Sequence, residues 1–237
     1  MLDAISASQL AMDVDQLKLQ TISHNIANIN TPGFKRELLE QVAFNDLLLP
    51  STTEAQQQVY KQEVPLQGTV VQTNNPKDFA LNGAGYFQVQ GEQSVYYTRR
   101  GDFHVNQKGE LVTTTGENVL GTGGVIQIDS ESFTIDGQGN LFVDHRKIDQ
   151  LQLAHFEHTE TLRYAGNGLY QSEENPSPMS ANTKILQGFI EQSNIKSIDE
   201  MLHMVSTSRH FEASQKVLRT ADSMMATAIN QLGEGNV

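Results

Sequence analysis

Asn194 to Leu232 reads NIKSIDEMLHMVSTSRHFEASQKVLRTADSMMATAINQL, 39 residues with neither Gly nor Pro. Its apolar residues recur at helical spacing. Met204, Phe211, Leu218, Met225 and Leu232 stand seven apart, and Met201, Ala221, Ala228 and Ile229 lie three or four residues from members of that row. The pattern predicts one continuous helix, roughly 58 Å long at a rise of 1.5 Å per residue. A rod of that length exceeds the width of an ordinary small domain, so much of its stripe must find a partner outside a compact core.

The other end of the chain supplies a matching pattern. Met1 to Ile29 also lacks Gly and Pro, with Ile5, Met12, Leu19 and Ile26 seven apart and Ile22 and Ile29 at the three-residue offset. Seven-residue spacing in both termini is what two helices need to lie side by side in a left-handed supercoil. Helices that merely cap their own globular domain are the plainer alternative, and the length of the second helix favours assembly. All ten Phe and all six Tyr fall between Phe34 and Phe211, so the ends and the middle are built differently.

A chain of 237 residues is long enough for one large or two small domains. Its net charge of -12, from 16 Lys and Arg against 28 Asp and Glu, does not supply the basic surface that nucleic-acid phosphates require. The absence of Cys removes disulfides and thiolate chemistry, leaving packing or neighbouring subunits to stabilise the fold. The start, Met1-Leu2-Asp3-Ala4, has no basic n-region or apolar h-region, so no cleavable signal peptide is expected. No run of 18 apolar residues predicts a membrane span.

Between the helices the composition changes twice. Asn28, Asn30, Pro32 and Gly33 stop the first helix and turn the chain, with Phe34 placed to anchor the turn. Glu37 to Leu49 reads as a short helical piece carrying Leu38, Val42, Phe44 and Leu48, and Gln56 to Gln67 as an extended polar segment. From Gly68 to Gly188 lie 15 of the 18 glycines, and short alternating apolar runs are separated by turn dipeptides. Asn82-Gly83 is the signal of a type I′ hairpin joining Phe79–Leu81 to Tyr86–Val89. Strand spacing of 8 to 12 residues predicts an antiparallel barrel or sandwich rather than a βαβ fold. The fold class expected is therefore α+β, with long terminal helices forming a coiled-coil-like stalk and an antiparallel all-β domain inserted between them.

The candidate chemistry is sparse. His155 and His158 are three apart in a strand-like context with no third ligand, so no metal site is expected there. Asp136-Gly137-Gln138-Gly139-Asn140 is oxygen-rich, yet lacks the Gly at the sixth position of a calcium loop and places Lys147 where its bidentate Glu belongs, which favours a turn. Gly83-Ala84-Gly85 is followed by Gln88 rather than a third Gly and by no helix to hold a phosphate. No G-x-S-x-G elbow occurs. His203 and His210 are seven apart on the long helix, too far to chelate one ion unaided. No catalytic residue, metal or cofactor is expected.

Several stretches carry a resemblance. Ile22-Ser23-His24-Asn25-Ile26-Ala27-Asn28-Ile29-Asn30-Thr31-Pro32-Gly33-Phe34-Lys35-Arg36 closely resembles the N-terminal signature of the bacterial flagellar basal-body rod and hook family. Gln72 to Gly83, Gly85 to Val89 and Tyr97 to Phe103 are similar to that family's central motifs, as are Ile190 to Ile195, Glu200-Met201 and Arg209 to Ala213. The resemblance implies a secreted structural subunit of the distal or proximal rod, exported by the flagellar type III apparatus and polymerised between membrane ring and hook. Partners implied are further copies of the chain, other rod and hook subunits, the export apparatus and the surrounding rings. A short hook-type subunit and a stalked sugar-binding or peptidoglycan-acting β module are the rival readings.

On this reading residues 1–37 with 189–237 form an axial helical core, 38–80 with 176–188 an extended connector, and 81–175 an outer β domain. The assembly interface is expected at Ile5, Met12, Leu19, Ile22, Asn25, Ile26 and Asn28 of the first helix, and at Met204, Phe211, Leu218, Met225, Ile229 and Leu232 of the second. Asn25 and Asn28 are candidates for fixing register, with a helix C-cap the competing role of Asn28. Asn30, Thr31, Pro32, Gly33, Phe34 and Lys35 form the joint, in which Gly33 is expected to take a positive φ. Polar interruptions such as Asp15, Gln215 and Asp222 predict helices that are marginal alone and order on assembly.

Overall fold

The two predicted helices frame a run of short strands. The computed structural model describes residues 2–41, 59–92, 94–130, 133–157, 159–177 and 183–234. The chain opens with α1 (Leu2–Ala27), β1 (Glu37–Gln41), β2 (Val59–Glu63), β3 (Val70–Gln72), β4 (Phe79–Asn82), β5 (Tyr86–Gln90) and β6 (Val95–Thr98). There follow β7 (His104–Val105), β8 (Leu111–Val112), β9 (Asn118–Gly121), β10 (Gly124–Val125), β11 (Thr134–Ile135) and β12 (Asn140–Val143). Next come β13 (Arg146–Gln150), β14 (Leu153–Ala154), β15 (Arg163–Gly166), β16 (Leu169–Gln171), β17 (Lys184–Gln187) and β18 (Phe189–Glu191), and α2 (Ser197–Glu234) ends the series. The chain divides into two units: Met1–Ala27, Glu37–Gln62 and Lys196–Val237 form one, and Asn28–Arg36 with Glu63–Ile195 the other.

In the first unit α1 packs against α2 and β1 lies against α1. Asp199 and Glu200 occupy the first turn of α2, where carboxylates complement the positive end of the helix dipole. β1 pairs with β2. This overturns the helical reading of Glu37–Leu49 for the part that is described, since Glu37–Gln41 is a strand. The physical cause is tertiary. The Asn25 side chain donates to the Glu37 carbonyl at 2.8 Å and accepts from the Glu37 N–H at 2.9 Å, a two-point pairing that holds the backbone extended. Val42 to Leu49 lie outside the described residues.

The second unit is built around β5. β6 and β9 flank it, β16 and β15 continue beyond β6, and β8 and β7 continue beyond β9, while β14 pairs with β5 and β10 with β9. Every one of these pairings is antiparallel, as the strand spacing predicts. Alternation along β5 sends successive side chains to opposite faces. Phe87 and Val89 enter a core with Phe79, Leu111, Val119 and Leu141. Tyr86 enters a second cluster with Tyr97, Phe156 and Tyr170. Edge-to-face ring packing orders both, with Phe87 and Phe103 centroids 5.3 Å apart and Tyr97 and Phe156 4.8 Å apart.

Asn82-Gly83 does not make the expected hairpin. β4 pairs with β17, Leu81 opposite Ile185, whereas β5 belongs to the sheet just described. Gly83 and Gly85 take φ of 122° and 139°, and the Thr183 hydroxyl donates to the Ala84 carbonyl at 2.7 Å, so the connection carries the chain between two sheets. The dipeptide marks a sharp turn correctly, but long-range pairing chooses the strand's neighbour. Three smaller pairings complete the unit: β3 with β18, β4 with β17, and β11, β12 and β13 in that order.

Phe87 has no exposed surface, so Phe87→Ala is expected to cost about 3–5 kcal/mol through lost transfer energy and the cavity left behind. Urea unfolding of the variant, followed by near-UV tyrosine dichroism, should show the midpoint falling accordingly.

Candidate assembly site

The helix pair is the first element of the site. The Asn25 amide also donates to the Glu200 carboxylate at 3.4 Å, and ten residues back along α1 Asp15 meets His210, ten residues forward on α2. The two helices therefore run antiparallel and in step. Asp15, Thr21 and Asn25 are buried beside Val14 and Ile22. Asp15, which interrupts the stripe in sequence, is thus one of the groups that pairs the helices. His24 Nδ1 also lies 3.2 Å from the Glu37 carboxylate.

The residues expected to bury against a partner divide clearly. Ile22 and Asn25 are buried, while Ile5, Met12, Leu19, Ile26, Met204, Phe211, Leu218 and Met225 are all half-buried. Ile229 and Leu232 lie on α2. Among the described side chains of α2 only Glu200 is fully buried. Opposite the half-buried row, at steps of four and three residues, Ile198, Leu202 and Val205 are 71%, 65% and 51% exposed. The first turns of α2 are therefore apolar on two faces, and one of them has no cover within this unit.

The joint is the second element, and it lies wholly in the β-containing unit. Asn28 caps α1: its carbonyl accepts from the Thr31 N–H at 3.0 Å and its side chain from the Thr31 hydroxyl at 3.2 Å. Asn30 is exposed and Pro32 half-buried, after which the chain dives inward. Gly33 has φ of 67°, as predicted, and donates to the Glu191 carbonyl at 2.7 Å. A Cβ at Gly33 would stand 2.5 Å from the carbonyl carbon of Arg99. Gly33→Ala therefore strains the strands beyond the joint as well as the joint itself, because the clash falls on the Arg99 backbone. Phe34 is buried edge-on to Tyr164 at 6.0 Å and anchors the turn.

Lys35 follows Phe34 into the interior, where it is only 2% exposed. Its Nζ donates to Glu191 Oε1 at 2.5 Å and to the Leu66 carbonyl at 2.9 Å. Glu191 Oε1 also accepts the Gly68 N–H at 3.0 Å, and Oε2 faces Arg99 Nη1 at 3.5 Å. Arg99 donates to the Gly83 carbonyl at 2.7 Å and stacks over the Tyr86 ring at 5.5 Å. Asn194 stitches the same region: its amide donates to the Val64 and Leu66 carbonyls at 3.0 and 2.9 Å and accepts the Arg36 N–H at 2.7 Å. Sequence reading placed Lys35 in the joint but gave no role to Arg99, Glu191 or Asn194. The available signal was a carboxylate interrupting the strand Phe189-Ile190-Glu191.

This cluster holds two cations about one buried carboxylate. His155 bridges Ser177 through its backbone, His158 lies outside the described residues, and Asp136 caps its own turn by accepting from the Gln138 and Asn140 N–H groups. Among the described residues no group of three potential metal ligands converges. No described helix is long and apolar enough to cross a membrane.

Removing the shared carboxylate should leave two buried cations without the group that both of them contact. Glu191→Gln is expected to destabilise the chain by about 3–5 kcal/mol, read from chemical denaturation. The pH dependence has two opposing parts. Burial pulls the Lys35 pKa below 10.5, against the pull of Glu191, so the folded state sheds that proton first and stability rises with pH up to the unfolded value. Burial pushes Tyr86 up to about 12 and Tyr170 well above 10.0, so their contribution is complete below pH 10 and is lost as pH rises through about 12. Urea midpoints between pH 8 and 12, with tyrosinate absorbance alongside, should show this fall, and Lys35→Met should remove the earlier rise.

Three family models match along the chain: "Flagella basal body rod protein" over residues 4–35, "Flagellar hook protein FlgE/F/G D1 domain" over 80–143, and "Flagellar basal body rod FlgEFG protein C-terminal" over 186–232. The flagellar basal-body rod protein FlgG of Buchnera aphidicola subsp. Schizaphis graminum is 30% identical over 263 aligned residues, covering 95% of this chain and 98% of that protein. FlgG of Agrobacterium fabrum is 28% identical across 97% of this chain and 99% of its own length, and the rod protein FlgF of Mesorhizobium japonicum 29% across 98% and 99%. The first and last models fall on the two helices and their joints, and the middle one on the strands around β5. The chain belongs to the flagellar basal-body rod protein family and is a structural subunit of the bacterial flagellum.

Proposed function

We propose that this subunit polymerises through its terminal helices into the axial shaft of the rod, in its distal or proximal part. The observation that carries the reading is the exposed face of α2, where Ile198, Leu202 and Val205 lie opposite the row packed toward α1. Leaving three large aliphatic side chains in water on one helical face is unfavourable by roughly 1.5–3 kcal/mol each relative to burying them. Helices of neighbouring subunits are the cover, and their seven-residue spacing favours coiled-coil packing between copies. A heterologous contact that does not close on itself builds a helical filament. Other rod and hook subunits adjoin the ends of that filament and basal-body rings surround it. On this reading the subunit reaches the periplasm through the flagellar export apparatus. The interface takes in Ile5, Met12, Leu19, Ile26, Met204, Phe211, Leu218, Met225, Ile229 and Leu232 once neighbours close around the pair, while Asn25 sets the register inside each subunit.

Leu202→Glu with Val205→Glu should leave the helical dichroism and unfolding midpoint of the purified chain near wild type, because neither side chain is buried in the subunit. Sedimentation should find the variant monomeric where wild type forms polymer, and swimming should fail in cells carrying it. Polymer yield equal to wild type would reject the helix-mediated reading.

A further inference from the structure

β3 has an open side. Its ladder to β18 pairs Val70 with Glu191, Val71 with Ile190 and Gln72 with Phe189. Flanking the ladder, the Gln192 N–H donates to the Thr69 carbonyl and the Thr73 N–H to the Gly188 carbonyl, both at 2.8 Å. Hydrogen-bonded and non-bonded pairs alternate in an antiparallel ladder, so Thr69, Val71 and Thr73 direct their backbone groups at β18. Val70 and Gln72 direct theirs away. Among the described residues nothing pairs with those outward N–H and C=O groups.

The side chains do not protect this edge either. Gly68 to Asn75 contains no charged residue and no Pro, in a chain with 44 charged residues among 237. Val71, Gln72, Thr73 and Asn74 are exposed, and Thr69, Val70, Val71 and Thr73 are β-branched. Natural sheets usually blunt such an edge with charge, Pro or a bulge, because an open, straight, neutral strand recruits another. Lys35 binds Glu191 and the Leu66 carbonyl, and Asn194 binds the Leu66 and Phe34 carbonyls, so the base of this ribbon is tied to the joint.

We propose that the β3 edge accepts a strand from a second copy of this chain, by β-strand addition to Val70 and Gln72. The inference rests on the reading that the subunit polymerises, and it adds a main-chain contact in the β-containing unit to the helical one. Copies that each carry a net charge of -12 repel one another, and an uncharged strand is the part of the surface where that repulsion is least.

Backbone exchange on the full chain tests both contacts at once. The Val70 and Gln72 amides should exchange quickly in the monomer and slowly in the polymer, while the Val71 amide is slow in both. Gln72→Pro removes an outward N–H and the exposed side-chain bond from Gln72 Nε2 to Asn74 Oδ1, neither of which joins β3 to β18, so the monomer should stay close to its unfolding midpoint while the concentration needed for polymer rises about tenfold, the effect of losing roughly one hydrogen bond per contact. Val71→Pro, by contrast, should lower the monomer's midpoint. Polymer in which α2 becomes protected and Val70 and Gln72 do not would overturn the strand-addition inference and leave the helical reading standing. Protection at β3 without any change along α2 would support strand addition and reject the helical contact. Failure of wild type to polymerise would overturn both.

Discussion

A single carboxylate, Glu191, ties together the segments from which the β-containing unit is closed. Its side chain holds Lys35, Arg99 and the Gly68 amide, and its backbone carbonyl receives Gly33. Three stretches far apart in sequence, at residues 33–35, 68 and 99, converge on one residue with essentially no exposure. Burying these charges carries a large desolvation penalty, and the pairing recovers it only when the geometry is met. The value of such a network lies in that demand. A greasy contact would tolerate a shifted joint, whereas Lys35 and Arg99 can share one carboxylate only if the turn at Gly33 and the strand at Glu191 are both in place.

The helical unit uses the same principle more sparingly. Asn25 reproduces the pairing of a backbone residue against Glu37 and reaches Glu200 besides, and Asp15 meets His210 nearly three turns away. These polar contacts set an antiparallel register that the apolar rows alone leave open, since rows of period seven can slide by a heptad at little cost. What remains apolar and uncovered, chiefly the face of Ile198, Leu202 and Val205, is therefore presented in a fixed position. A rod subunit needs that combination of internal register and outward stickiness.

The same contrast explains which expectations the structure corrects. Both helices were legible because a long uninterrupted apolar period is a local property. Strand content and antiparallel pairing were legible from turn spacing for the same reason. The helical reading of Glu37 to Gln41 failed because Asn25, twelve residues away, binds that backbone in an extended form. The hairpin at Asn82-Gly83 failed because β17, about a hundred residues later, pairs with β4 instead. In both places a non-local hydrogen-bond ladder outweighed a local preference worth a fraction of a kcal/mol per residue.

For the site, the two apolar rows, the turn that needs Gly33, the aromatic anchor at Phe34 and the resemblance to rod and hook proteins can all be read directly from the residues. These follow from periodicity, backbone sterics and motif, all of which act over a few residues. Long-range contacts, by contrast, make Asp15 a partner rather than an interruption, gather Lys35, Arg99 and Glu191 into one buried cluster, and leave the outward groups of β3 open. Whether a charge is exposed, paired or buried depends on what the rest of the chain brings to it, and desolvation makes that difference larger than any local preference.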